Sequence, residues 1–302
     1  MIRDVLDAPP VCPVAREIAG QSVAPAAQAR GMTLPDPSTF IAEGASAAVY
    51  RLDGGRVLKL FHEGVDPSII RREYVTAEII QATGLPAARL FGRCEAGGRQ
   101  GIIYSEIQGP NLLHYIWRHP YRVGWAMRAM AQLQTHIHRQ PVPMLRSRKA
   151  ILTEDIEMAP IGARLRAAAI DRLDQLGEGD MLSHGDLHPA NLIVSGEGLV
   201  AIDWSKAARA MPAADVVRSE MLMRFGPGHA SGWLEGPVRD LATAHYVRCY
   251  RRAATMDGEA LAAWRALVGL AWMRHRLPAR DAAFGAYLVR ALERAGLPAL
   301  DA

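Results

Sequence analysis

The chain has 302 residues, half of them hydrophobic, and a formal net charge of +4. That length can bury a large core, as one big domain or two lobes, and no apolar run approaches the roughly eighteen residues of a membrane span. The basic residues come singly or in short pairs, which suits an anionic nucleotide but leaves no nucleic-acid footprint. Cys12, Cys94 and Cys249 lie far apart, indicating neither a disulfide framework nor a thiolate zinc site. The N-terminus has an early acid and prolines where a secretion signal needs an unbroken apolar segment, so a cytoplasmic location is expected.

Residues 1–34 are rich in Ala and Pro and read as an N-terminal extension, with a short helix expected at Val14–Ala19. From Phe40 the pattern changes: IAEGASAAVYRL, a DGG turn and RVLKLF read as three strands. The turn from Glu43 to Ala48 has almost no side-chain bulk. It is either an ordinary hairpin turn or one whose backbone N–H groups can approach phosphate oxygens. Lys59, between Leu58 and Leu60, is either an outward-facing edge residue or a buried ammonium that needs two anions, one from a ligand and one from the protein. A helix is expected over Asp66–Thr83, with Asp66 as cap and Pro67 in the first turn. It offers Glu73 near its middle as the protein anion, with Glu78 as the alternative.

Gly84-Leu85-Pro86 ends that helix, and strands over Arg89–Cys94 and Gly101–Ile107 follow. Gln108-Gly109-Pro110 then breaks the pattern. This sets a lobe boundary: a sheet and helix over 35–107, then a mainly helical part over 108–302. Glu106 and Ile107, just before the break, would present backbone N–H and C=O groups to an adenine edge. Beyond it, helices are expected at Leu112–Arg118, Val123–Arg139, Ile161–Leu176 and Pro212–Phe225, and around Val238–Thr255, Glu259–Arg274 and Asp281–Arg294. His136 and His138 stand two apart on a helix and point away from each other, so they read as structural rather than as a metal pair.

The stretch from Leu182 to Trp204, LSHGDLHPANLIVSGEGLVAIDW, is the richest in chemistry. Leu192–Val194 and Leu199–Ile202 flank a Ser-Gly-Glu-Gly turn and read as a hairpin. Folding it about position 197 sets Asn191 opposite Asp203 at the open end. A carboxamide oxygen beside a carboxylate suits a divalent cation that takes its other ligands from polyphosphate and water. Asp186, in the polar loop before Asn191, is placed to take a proton from a hydroxyl beside that metal.

The order of these parts is small-residue turn, strand lysine, helix glutamate, break, helices, H-G-D-x-x-x-x-N, hairpin and I-D-W. It resembles the aminoglycoside phosphotransferase family of the protein-kinase-like superfamily, over roughly residues 38–225. The kinase pattern H-R-D-x-x-x-x-N then D-F-G has Gly185 in place of Arg and Asp203-Trp204-Ser205 in place of D-F-G. The resemblance implies an α+β, protein-kinase-like bilobal fold, with a small antiparallel β-sheet N-lobe carrying one helix and a mainly helical C-lobe. It also implies ATP (or GTP) and Mg²⁺ as cofactors. Asp186 is then the base, Asn191 and Asp203 the metal ligands, and Lys59 the grip on the α- and β-phosphates, held by Glu73. His184 braces the loop, Ser46 lies under the β- or γ-phosphate, and Asp215 bonds back to the loop. His188 is left between phosphate contact and packing.

Only nine residues, SKAARAMPA, separate Trp204 from Ala214, too few for the peptide platform of a protein kinase. The expected partners are therefore a nucleotide and a small hydroxyl-bearing substrate, with no nucleic acid or membrane; the oligomeric state is left unassigned. An aminoglycoside would need carboxylates, for which Glu154, Asp155, Glu157 and Glu220 are candidates. From Ser205 onward, however, Arg and Lys outnumber Asp and Glu, so a neutral or anionic acceptor is at least as well supported. A nucleotide-binding pseudokinase and a protein-directed kinase on the same fold are the alternatives.

Overall fold

A computed structural model describes residues 29–226, 236–274 and 281–300. The helix expected at Val14–Ala19 lies outside them. In chain order the first elements are β1 (Ala29–Met32), β2 (Phe40–Glu43), β3 (Ala47–Leu52), β4 (Arg56–Phe61), α1 (Pro67–Ala82), β5 (Leu90–Ala96) and β6 (Arg99–Ser105). Then come α2 (Leu112–Arg118), α3 (Val123–Ile137), α4 (Arg148–Glu157), α5 (Ala163–Gln175), β7 (Met181–Ser183), β8 (Leu192–Ser195), β9 (Gly198–Ala201) and β10 (Ala208–Ala210). The last described elements are α6 (Pro212–Phe225), α7 (Pro237–Ala253), α8 (Ala262–Trp272) and α9 (Ala282–Ala295). Among the described residues no helix is long and apolar enough to cross a membrane.

The chain divides into two compact units. One holds the described residues up to Asn111 and regains Leu192–Ser205; the other holds Leu112–Asn191 and the chain from Lys206. This differs from a single break at 107/108, and backbone pairing gives the reason. The β8–β9 hairpin is tied to the first unit where Val194 N–H donates to the Pro110 carbonyl at 2.9 Å. Bridges from Asn111 to Ile193 and from Ala87 to Ala201 tie it further. Gly109 (φ 136°) makes the approach feasible, because a Cβ there would collide with the Val194 carbonyl.

In the first unit six strands run in the order β1-β5-β6-β4-β3-β2. Five are antiparallel, and β1 joins the edge parallel to β5. Part of the expected N-terminal extension is thus a sheet strand. Side chains alternate across the pleat. One face packs Ala47, Phe61, Leu90 and Ile102 against Ile70, Tyr74 and Ala77 of α1. The other face gathers Leu58, Leu60, Cys94 and Ala96. The α1 helix starts where Asp66 accepts from Ser68 N–H (2.7 Å) with Pro67 in its first turn, and it ends at Thr83 before Gly84, whose φ is 71°.

The second unit is built on α6, which is buried on nearly every side and packs against α7 and α8. Further pairs, α3 with α7, α4 with α8 and α8 with α9, complete the bundle. The only sheet among its described residues is the antiparallel pair β7–β10, matching Ser183 with Ala208 and Met181 with Ala210. The α4 helix was not anticipated; Ser147 caps it by accepting from Ala150 N–H at 3.2 Å.

Candidate active site

Lys59 lies in β4, between β3 and β6, where its register partners are Val49 and Ile102. The edge-strand account is therefore excluded. With Leu58 and Leu60 turned to the opposite face, Lys59 shares the α1-facing side with Phe61. Its Nζ stands 2.7 Å from Glu73 Oε1 and 3.2 Å from Asp203 Oδ1. Burial acts to lower the pKa of Lys59, but the Asp203 and Glu73 carboxylates outweigh it and hold the pKa above the usual 10.5. Glu73 is buried, whereas Glu78 is exposed. Tyr104 on the same side is pushed well above 10.0 by burial and by the two carboxylates, so it stays a neutral phenol.

Asp203 follows the hairpin with φ 59°, a left-handed conformation that is costly for a residue with a Cβ. The hairpin corrects one detail of the sequence reading. Its turn is the two-residue Gly196-Glu197, so the ladder pairs Ser195 with Gly198 and Leu192 with Ala201. Continued in register, that ladder faces Asn191 with Ile202 rather than with Asp203. The left-handed backbone of Asp203 is what redirects its carboxylate toward Lys59.

The small-residue turn between β2 and β3 is held by its own backbone and by His62. Gly44 N–H donates to the Ala47 carbonyl and His62 N–H to the Ser46 carbonyl, both at 2.9 Å. The His62 ring nitrogen Nε2 lies 3.1 Å from the Gly44 carbonyl. Gly44 and Ala45 are exposed and Ser46 is half-buried. At the other candidate contact, Glu106 N–H donates to the Gly55 carbonyl (2.8 Å), and its carboxylate accepts from Arg51 Nε and Nη2 at 2.9 and 2.8 Å. That N–H is thus engaged with the turn between β3 and β4.

In the second unit, the loop from His184 to Asn191 leaves β7 and is organised by Asp215, in the first turn of α6. Asp215 Oδ1 accepts from the Ser183 hydroxyl and from Gly185 N–H, both at 2.7 Å. Its Oδ2 accepts from His184 N–H (3.2 Å), Gln134 Nε2 (3.0 Å) and His138 Nε2 (3.0 Å). Burial opposes the charge of Asp215, yet His138, Ser183 and Arg148 overcome it and hold the carboxyl far below its ordinary range. His138 also reaches the Tyr250 hydroxyl at 2.6 Å, and the Tyr246 hydroxyl donates to Gln134 Oε1. His138 is thus a buried structural partner of Asp215, while His136 is exposed.

Within the loop, Asp186 N–H donates to His184 Nδ1 (3.3 Å), so His184 braces the segment. His188 is also a brace: Ala190 N–H donates to its Nδ1 (3.3 Å) and Asn191 N–H to its carbonyl (2.9 Å). Asn191 Nδ2 donates to the Asp186 carbonyl at 2.9 Å and lies 3.5 Å from Asp186 Oδ2. Using its nitrogen this way leaves the Asn191 oxygen as a hard donor for a cation. Asp186 is half-exposed, whereas Leu187, His188 and Pro189 are buried. The loop is a rigid backbone that presents one carboxylate.

Among the described residues no group of three or more His, Cys, Asp and Glu side chains could hold a metal by itself. Taken singly, the Asp203 carboxylate and the Asn191 carboxamide oxygen are hard donors of the kind that Mg²⁺ takes alongside phosphate and water. Sequence reasoning missed Arg148 and Arg218. Arg218 Nε donates to the Gly185 carbonyl and Arg148 Nη2 to the Lys206 carbonyl, both at 2.5 Å. Neither arginine stands in a motif that would have announced it.

The profile of the phosphotransferase enzyme family, APH, matches residues 38–245. No curated protein matches the chain in sequence. Similar solved structures include the amicoumacin kinase hAmiN in complex with AMP-PNP, Ca2+ and Ami, with TM-score 0.55 and 16% identity over 87% of this chain and 90% of that one. An aminoglycoside-3'-phosphotransferase of type VIII superposes with TM-score 0.55 and 18% identity, over 78% of this chain and 93% of the other. APH(3'')-Id from Streptomyces rimosus, in complex with ADP and streptomycin, gives 0.52 and 17% over 77% and 92%. These likenesses are of fold, and they identify the sheet-and-helix unit and the helical unit as the parts of a protein-kinase-like α+β architecture. Because the family profile spans most of the chain, the protein belongs to the phosphotransferase enzyme family, the aminoglycoside phosphotransferase group of that fold.

Proposed function

We propose that the protein is an ATP-dependent kinase that transfers the γ-phosphate to a hydroxyl of a small molecule. The observation that carries this reading is the Lys59–Glu73–Asp203 cluster, in which a buried ammonium is held charged between two carboxylates. A buried ion cluster is seldom better for stability than apolar packing, which favours a functional reason for keeping it. The nucleotides bound in the amicoumacin kinase and APH(3'')-Id structures are consistent with that reason.

In this mechanism Asp186 accepts the proton of the acceptor hydroxyl as its oxygen bonds to the γ-phosphorus, while the bond from that phosphorus to the bridging β-phosphate oxygen breaks and ADP leaves; Lys59 steadies the α- and β-phosphates and Glu73 keeps it oriented. Asn191 and Asp203, which flank the hairpin in the chain, would hold Mg²⁺. The ion supplies charge neutralisation across the phosphate oxygens. With Gly44 N–H spent on the Ala47 carbonyl, the turn would offer the backbone N–H groups of Ala45 and Ser46 to the phosphates, and Ile107 would contact the adenine. Asp215 and His184 are buried beneath the loop and keep the Asp186 backbone in place.

The acceptor is neutral or anionic in this reading. Of the four carboxylates that a polycationic antibiotic would seek, three are already paired: Glu220 with Arg265 at 2.9 Å and Arg224 at 3.3 Å, Asp155 with Arg274 at 2.7 Å, and Glu154 with Arg146. Only the buried Glu220 would be costly to strip of its arginines; the Glu154 pair is exposed, and Glu157 is exposed too. Incubation with γ-labelled ATP and a panel of aminoglycosides, macrolides, sugars and proteins tests the assignment. Label on a neutral or anionic small molecule is expected. Label on a protein alone, or ATP-dependent stabilisation without turnover, would replace it with a protein-directed kinase or a pseudokinase.

A further inference from the structure

Arg148 is a costly residue: beyond the charge it lends to Asp215, stability gives little account of it. It opens α4 and is buried, yet its guanidinium donates to a neutral carbonyl, that of Lys206, and its Nε has no hydrogen-bond partner. Burial and the nearby Arg218 lower its pKa to about 10; Asp215, Asp155 and Asp186 pull the other way through charge alone. A guanidinium buried on these terms works against folding, and such costs gather at functional sites.

The backbone puts it there. Arg209 N–H donates to the Arg146 carbonyl (3.0 Å) and Ser147 bridges to Arg209, so the chain enters α4 alongside β10. In turn β10 pairs with β7, which runs directly into His184 and Gly185. Gly185 has φ 76°, and a Cβ there would collide with Arg148 Nη2 and with the Lys206 carbonyl. The middle position of H-R-D is thus glycine in this chain, and an arginine delivered from α4 fills the space beside it. From the opposite direction Arg218 on α6 holds the Gly185 carbonyl.

We infer that Arg148 is a positioning residue for phosphoryl transfer: it locks Gly185 against the Lys206 segment and thereby sets where the Asp186 carboxylate meets the acceptor hydroxyl. The inference rests on Asp186 being the base. Because Arg148 is buried, it would act on kcat through geometry, and a displacement of about an ångström is worth as much as 100-fold.

The test uses the full chain with Arg148→Met, which keeps length and removes charge, and Arg148→Lys, which keeps charge and loses the fork. The readouts are phosphate release from ATP with water as acceptor, melting temperature, and hydrogen exchange of peptides over 183–191. For Arg148→Met the expected result is a kcat lowered about 10- to 100-fold with KM for ATP within about twofold. Exchange should rise in the loop but not in α3, α6 or α7, and the melting temperature should stay within about 2 °C. Arg148→Lys should recover part of kcat. Unchanged kcat and loop exchange in Arg148→Met would overturn the inference. So would exchange rising throughout the helical unit with a large drop in melting temperature, the mark of a merely structural residue. If the wild type transfers phosphate neither to water nor to any member of the acceptor panel, the proposed function fails instead, and loop exchange still decides the role of Arg148.

Discussion

Glu73 Oε1 lies 2.7 Å from Lys59 Nζ, joining the middle of α1 to an interior strand of the sheet, with both side chains largely buried. Removing one member of such a pair strands the other. Glu73→Ala should lower stability by about 3 kcal/mol, the lower end for a broken buried pair, because Asp203 still faces Lys59 at 3.2 Å. Chemical denaturation measures the loss. Glu78→Ala, on the exposed side of the same helix, should change stability by less than about 0.5 kcal/mol.

The pH dependence of stability should carry two opposite signatures. Lys59 has a folded pKa raised above 10.5, so its contribution is complete below that value and is lost as pH rises through the folded pKa. Asp215 has a folded pKa lowered from 3.8, so its contribution is complete above 3.8 and is lost as pH falls through the folded pKa. The stability gap between wild type and Asp215→Asn should therefore be flat at neutral pH and narrow in acid. The gap to Lys59→Met should narrow only in strong base. Urea unfolding across the pH range measures both gaps.

Much of this was legible in the chain because it depends on local pattern. The strands from Phe40 to Phe61, the capped α1 and the hairpin after Asn191 each follow from alternation, a cap residue or a turn. What was not legible depends on contacts distant in sequence. Arg148 reaches Lys206, 58 residues further along the chain, and Asp215 collects donors from Gln134 to Gly185, so no local spacing encodes either network. The hairpin register was one residue out because a four-residue turn motif does not reveal which two residues form the bend. The parallel edge strand β1 sits in an Ala/Pro-rich stretch whose composition argues for a loop.

Glu220 should prove a stability residue rather than an acceptor contact. It is buried and bonded to Arg265 and Arg224, so Glu220→Ala leaves Arg265 without its anion and Arg224 with Asp240 alone. A loss of about 3–5 kcal/mol is expected, with KM for the acceptor changed by no more than the partial unfolding explains. A selective rise in the acceptor KM at full stability would instead place Glu220 in the substrate pocket and reopen a cationic acceptor.

The central claim is that Asp186, half-exposed on a loop whose backbone is fixed by Asp215 and His184, is the base for transfer from ATP. Its most direct test is transfer of γ-labelled phosphate by wild type and Asp186→Asn, with melting curves recorded on the same preparations. The account predicts wild-type transfer to a small hydroxyl compound, and an Asp186→Asn protein that melts like wild type but transfers about 100- to 10,000-fold more slowly. Full transfer by Asp186→Asn would contradict it.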